Sequence, residues 1–137
     1  MDSDEAVAYL GAVGCLLVVI VAAAPFAIID EQSQLVASYY AAGPLGLTGV
    51  IFLGVLGTVI FLSSVRGRAD ASLVAGIMLV VGLTMFLLSA LWAISLDPEL
   101  TERFVVAHPW IVYHSWSTVG LSGLVAAASG LYAAAVY

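Results

Sequence analysis

Four long apolar stretches, each free of Asp, Glu, Lys and Arg, dominate the pattern of the chain. They run over Ala6–Ile29, Leu45–Val65, Ala71–Leu96 and Trp110–Val136. A helix needs ~20 apolar residues to cross the hydrocarbon layer of a membrane, and every stretch is long enough. The pattern predicts an all-α integral membrane protein, a four-helix antiparallel bundle that forms one domain over residues 1–137.

The two longer connections predict short helices of their own, outside the cytoplasm. The segment Glu31–Tyr40 mixes apolar and polar residues at helical spacing, which is typical of a short interfacial helix. Asp97 has the features of an N-cap, followed by Pro98 at the first helical position, so we expect a helix from there to about Val106. Pro25 predicts a bend or an end of the first long helix; a simple end is favoured over a hinge.

Charge decides the orientation. The chain has nine acidic residues, three Arg and no Lys, and Arg66 and Arg68 both lie between the second and third stretches. The positive-inside rule places this short loop in the cytoplasm, so both termini are expected there too; only Arg103 argues against this. The acidic first residues, Met1–Glu5, are unlike the basic start of a signal peptide.

Composition excludes some classes of function. The chain is 64% hydrophobic and 9% charged, too little charge to cover the surface of a water-soluble domain. So few basic residues make binding to nucleic acid implausible. A net charge of −6 without any Lys is typical of proteins from salt-loving archaea.

Small residues mark the faces through which the helices are expected to pack, because lipid gives no hydrophobic drive between spans. The third stretch carries Ala75, Gly82 and Ser89 at heptad spacing. The fourth carries a ridge at every fourth position: Thr118, Ser122, Ala126, Gly130 and Ala134. The spacing leaves open whether such a ridge meets a helix of the same chain or another subunit.

Few side chains offer chemistry. His108 and His114 are six residues apart, which does not match the i,i+4 pair of a helical metal site. We interpret His114 as an interfacial histidine bonded to a loop carbonyl or water, with a haem ligand or quinone contact as the alternative. Cys15 is alone and is expected to pack as a small apolar residue. The sequence has no phosphate loop, no catalytic motif and no pair of carboxylates within the apolar stretches, so we expect no enzyme, no metal and no cofactor.

Aromatic residues collect near the predicted outer boundary. They form an ordinary interfacial belt or line an outward-facing groove. The groove would bind an apolar ligand such as a quinone or lipid, through His114, Trp116, Tyr113, Trp92, Tyr39 and Tyr40.

Four short segments, in this order, resemble a family of small four-span haloarchaeal membrane proteins of unknown function. They are Ser38–Pro44, Arg66–Asp70, Leu91–Ala93 and Tyr113–Trp116. The resemblance implies a multi-pass protein of the cell membrane and brings no catalytic residues. We therefore expect an accessory or scaffold subunit that associates through small-residue faces with other membrane subunits or with itself, in contact with membrane lipids. The ligand-binding groove remains the alternative.

Overall fold

The computed structural model describes residues 3–28, 33–42, 46–65, 70–96, 98, 102 and 109–137. This part of the chain is all-helical. Its elements are α1 (Ser3–Ile28), α2 (Ser33–Ala41), α3 (Gly46–Val65), α4 (Ala71–Ser95) and α5 (Ile111–Val136).

The helices α1, α3, α4 and α5 confirm that each of the four apolar stretches forms a long helix. Each contains a segment that is long and apolar enough to cross a membrane: Glu5–Ile28, Gly46–Val65, Ala71–Ser95 and Tyr113–Val136. A helix suits such sequences because it satisfies its backbone hydrogen bonds within itself, whatever surrounds it. The start of α4 is fixed by Asp70, whose carboxylate accepts a hydrogen bond from the Ser72 backbone N–H at 3.3 Å.

The four long helices form a closed ring of contacts, in which α1 and α4 each pack mainly against α3 and α5. Glycine allows close approach at two of these contacts. A Cβ atom on Gly54 of α3 would lie 2.7 Å from the Val19 side chain of α1. A Cβ atom on Gly82 of α4 would lie 2.8 Å from the hydroxyl of Ser129 on α5. As expected from their spacing, Ala75, Gly82 and Ser89 are all buried.

Tyrosines join the helices at the end of the bundle where α3 ends. The hydroxyl of Tyr132 on α5 forms a hydrogen bond with the hydroxyl of Ser64. The Tyr132 ring also meets the Phe61 ring edge-on, with centroids 5.8 Å apart. Tyr137 donates from its hydroxyl to the Ser72 carbonyl at 2.6 Å. These contacts tie α3, α4 and α5 together.

Two sequence-based expectations about the connections have different outcomes. A helix, α2, lies where the segment Glu31–Tyr40 predicts one. The predicted helix over Asp97–Val106 lies outside the described residues, apart from Pro98 and Glu102.

The expectation that α1 ends at Pro25 is wrong, because the helix continues through this residue to Ile28.

Candidate functional site

Pro25 interrupts the hydrogen bonding of α1, and other helices supply the missing partners. Proline has no backbone N–H, so the carbonyl of Val21, four residues earlier, loses its usual donor. The imidazole Nε2 of His114 lies 2.6 Å from this carbonyl oxygen. His114 comes from the start of α5, so a side chain of another helix replaces the donor that proline lacks.

A hydroxyl group bridges the next pair of backbone groups along α1. In a regular helix the Phe26 N–H would donate to the Ala22 carbonyl. Here the Tyr40 hydroxyl donates to the Ala22 carbonyl at 2.7 Å and accepts from the Phe26 N–H at 3.0 Å. A side chain inserted in this way lets a helix pass a proline with its polar groups bonded. This explains why α1 runs on to Ile28.

The hydrogen bonds determine the tautomer of His114. A carbonyl only accepts, so Nε2 carries the proton that is donated to Val21. In the neutral ring Nδ1 is then an acceptor, and the Tyr39 hydroxyl, 2.7 Å away, donates to it. The result is a directed chain of hydrogen bonds from Tyr39 through His114 to the carbonyl of Val21.

Trp92 closes the site from α4. Its indole N–H donates to the Tyr39 carbonyl at 2.8 Å, and its ring meets the Tyr39 ring edge-on with centroids 5.1 Å apart. The side chains of Trp92 and Tyr39 are fully buried, and His114 is nearly so. We refer to Tyr39, Tyr40, Trp92 and His114 as the proline clamp, because together they join α2, α4 and α5 to the interrupted part of α1.

Burial keeps the two tyrosine hydroxyls of α2 protonated. It raises the pKa of Tyr39, and the neighbouring Tyr40 hydroxyl adds to the effect. Burial also raises the pKa of Tyr40, while the hydrogen bond from the Phe26 N–H acts in the opposite direction. Both hydroxyls therefore keep the protons that they donate within the clamp.

The structure brings together four of the six residues predicted to line a ligand groove. Tyr113 and Trp116 lie apart from the clamp, with 74% and 60% of their surfaces exposed. The geometry of α5 explains this, since at about 100° per residue they point about 260° and 200° around the helix from His114. The six residues therefore do not line one groove.

Three participants were not among the predicted site residues. Trp110 meets the His114 ring almost perpendicularly, with centroids 6.1 Å apart. Its position four residues before His114 is the signal that places it on the same side of a helix. Pro25 and the Val21 carbonyl are the other two. A proline inside an apolar stretch indicates that the carbonyl four residues earlier has no backbone donor, but the local sequence does not indicate which side chain will bond it.

The predicted packing ridge of α5 does not stay on one side of the bundle. Thr118 and Ser122 are fully buried, Ala126 and Gly130 are half-buried, and Ala134 is exposed. Each step of four residues turns about 40° around a helix, so a ridge of five residues turns about 160°. Its first members face the bundle interior and its last member faces outwards.

A metal site in the described part of the chain would need several ligating side chains close together. No group of three or more His, Cys, Asp or Glu residues lies close enough there to hold a metal ion. Both ring nitrogens of His114 are hydrogen-bonded within the protein. His108 lies outside the described residues.

Fold and site together define an all-helical bundle whose four long helices could each cross a membrane, tied at one end by a buried polar cluster. The chain belongs to a family of unknown function (DUF7548), whose family model matches residues 1–137. No curated protein matches the chain. No solved structure matches it either.

Proposed function

We propose that this chain is a non-catalytic, four-span protein of the cell membrane that acts as an accessory or scaffold subunit. The observation that carries this proposal is an unpartnered face of small residues on α5, called here the α5 outer face: Gly120, Ala127, Gly130 and Ala134. A Cβ atom on Gly120 or Gly130 would meet nothing within 4 Å. Ala127 and Ala134 are exposed.

The outward side chains support a place in the membrane. Ile20, Phe52, Val80 and Leu131, one from each long helix, are each more than half exposed. Water would penalise so large an apolar surface, whereas lipid tails accept it. At ~1.5 Å per residue the 26-residue helix α5 is ~39 Å long, enough to cross a hydrocarbon layer ~30 Å thick. The outward side chains of the long helices would therefore contact membrane lipids.

The side-chain contacts support an antiparallel arrangement. His114 near the start of α5 bonds Val21 near the end of α1. Tyr137, just after α5, bonds Ser72 at the start of α4. With Arg66 and Arg68 in the cytoplasm, both termini lie inside and the proline clamp lies near the outer surface. The acidic, Lys-free composition further supports a haloarchaeal source.

The α5 outer face suits association with another helix. Small residues let two helix backbones approach closely, and the resulting van der Waals contacts drive association where lipid removes the hydrophobic effect. The partner is another membrane subunit or a second copy of this chain; the nearly complete absence of basic residues speaks against nucleic acid.

The alternative, an apolar ligand such as a quinone or lipid bound near His114, has less support from the geometry. Tyr39 and Trp92 are fully buried, and their polar groups are used within the clamp. A ligand at His114 would have to displace Tyr39 or the carbonyl of Val21. Binding there would therefore require the clamp to open.

Purification of a tagged copy from its native membrane in mild detergent and high salt tests the proposal. Gly120→Leu and Gly130→Leu enlarge the α5 outer face at two positions where an added Cβ atom would meet nothing within 4 Å. We expect both variants to lose the co-purifying subunit or the homo-oligomer. The matched control is Thr84→Leu, which enlarges an exposed side chain on α4 and should leave the particle unchanged. A wild-type protein recovered alone and monomeric contradicts the proposal, as does an unchanged particle in both glycine variants.

A further inference from the structure

The helix α2 depends on the proline clamp for its place on the bundle. With nine residues it is too short to be stable alone. Its packing within the bundle is mainly against α3. Hydrogen bonds from its last turn reach three other helices: Tyr39 bonds His114 of α5 and Trp92 of α4, and Tyr40 bonds Ala22 of α1.

His114 is the group in this cluster that can take up a proton in acid. Its Nδ1 accepts the hydrogen bond from Tyr39 only while the ring is neutral. Protonation turns Nδ1 into a donor that faces the donating hydroxyl of Tyr39. The Tyr39 hydroxyl must then turn its own proton elsewhere, or the pair must separate.

The described groups that contact the His114 ring are uncharged. They are the Val21 carbonyl from α1 and the Tyr39 hydroxyl from α2. The rings of Trp92, from α4, and Trp110, just before α5, also face the imidazole. Tyr40 is the other titratable group of the clamp. The ranges 33–42, 71–96 and 109–137 contain no Asp, Glu, Lys or Arg, and neither does 6–28 of α1.

Charged groups do occur in the connecting segments on either side. They are Asp30, Glu31, Asp97, Glu99, Arg103 and His108, which lie outside the described residues, and Glu102, which is exposed. The helices packed around His114 thus supply no counter-ion from their own sequence. Burying a charge is costly, so the protonated ring favours a conformation in which water reaches it.

We propose that α2 is a proton-sensitive latch, closed by neutral His114 and released when His114 is protonated. A proton that binds the open state more tightly than the closed state shifts the population towards the open state. Release withdraws Tyr39 from His114 and Tyr40 from the gap at Pro25. α1 then loses the Tyr40 hydroxyl that bridges the Ala22 carbonyl and the Phe26 N–H, while Nε2 of His114 can still donate to the Val21 carbonyl.

The distance between spin labels on α2 and α4 tests the latch. Ser38→Cys and Ile94→Cys place labels on exposed positions, while Cys15 is buried and stays unlabelled in the folded protein. We expect a narrow distance distribution at about pH 8 and a longer, broader one at about pH 4, which is below the ordinary titration range of histidine because burial disfavours the charged ring. In His114→Gln, whose amide does not take up a proton, the distribution should not change between the two pH values.

Two further variants keep the test decisive if His114→Gln fails to fold. Tyr39→Phe retains the ring but removes the hydroxyl that His114 accepts from, so we expect a broad distribution at both pH values. Tyr113→Phe alters an exposed tyrosine beside His114 and should behave as the wild type. A wild-type distribution that is the same at both pH values overturns the proposal, and so does a pH response that persists in a folded His114→Gln protein.

Discussion

The close contact between α4 and α5 at Gly82 makes the sharpest prediction about stability. An alanine Cβ there would lie 2.8 Å from the Ser129 hydroxyl oxygen and 3.2 Å from the Ala126 Cα. The Ala126 atom belongs to the backbone of α5, so relief requires the two helices to separate locally. Overpacking of this kind costs roughly 1–3 kcal/mol.

Gly76 provides a matched control on the same helix. A Cβ atom there would have the Tyr137 hydroxyl oxygen as its nearest neighbour, at 3.5 Å, which is an ordinary contact. Replacing glycine by alanine inside a helix gains about 1 kcal/mol of intrinsic helix stability at either site. Gly76→Ala should therefore be stabilising, and Gly82→Ala should be less stable than Gly76→Ala by roughly 1–3 kcal/mol.

The single cysteine of the chain provides the assay. Cys15 is fully buried, so a thiol-reactive fluorophore reaches it only when the bundle opens. Labelling in mixed micelles with increasing denaturing detergent gives the unfolding midpoint of each variant without an engineered cysteine. Equal midpoints for Gly82→Ala and Gly76→Ala, or a higher one for Gly82→Ala, would refute the close contact between α4 and α5.

Three further predictions concern α2. Tyr40→Phe removes the hydroxyl that bridges the Ala22 carbonyl and the Phe26 N–H, so we expect a loss of about 1–3 kcal/mol in unfolding free energy and faster hydrogen exchange at Phe26. Gly46→Ala forces a side chain onto a backbone with φ of 70° and against the Tyr40 carbonyl; circular dichroism and the Cys15 assay should show a folded but less stable protein. Burial raises the pKa of Tyr39, so the folded state disfavours its ionised form. Stability that is present below about pH 10 should fall as the pH rises beyond it, and Tyr39→Phe should reduce this dependence in pH-dependent unfolding curves.

The sequence predicts the helices because the signal is local. Four apolar stretches without charge admit few structures other than helices, and the heptad of Ala75, Gly82 and Ser89 indicates the buried side of α4. These predictions depend on length and periodicity within one segment. They require no knowledge of which helix is the neighbour.

The proline clamp depends on partners far apart in the sequence. His114 and Val21 are 93 residues apart, and Tyr39 and His114 are 75 apart. The residue types near the predicted outer boundary indicate either an interfacial belt or a groove of six residues, and four of those six do meet in the clamp. The pairing itself could not be predicted, because it depends on the order in which the helices pack and on the rotation of each about its axis.

The two proposals can be tested separately because they involve opposite sides of α5. Counted from His114 at about 100° per residue, the buried residues Thr118, Ser122 and Ser129 lie within about 80°. The α5 outer face, from Gly120 to Ala134, lies at about 160–240°. Variants of the outer face should therefore leave the pH response of α2 intact, and His114→Gln should leave association intact. Two results would require α5 to be rotated relative to the bundle described above. One is a changed pH response of α2 in Gly120→Leu, and the other is a loss of the co-purifying subunit or homo-oligomer in His114→Gln.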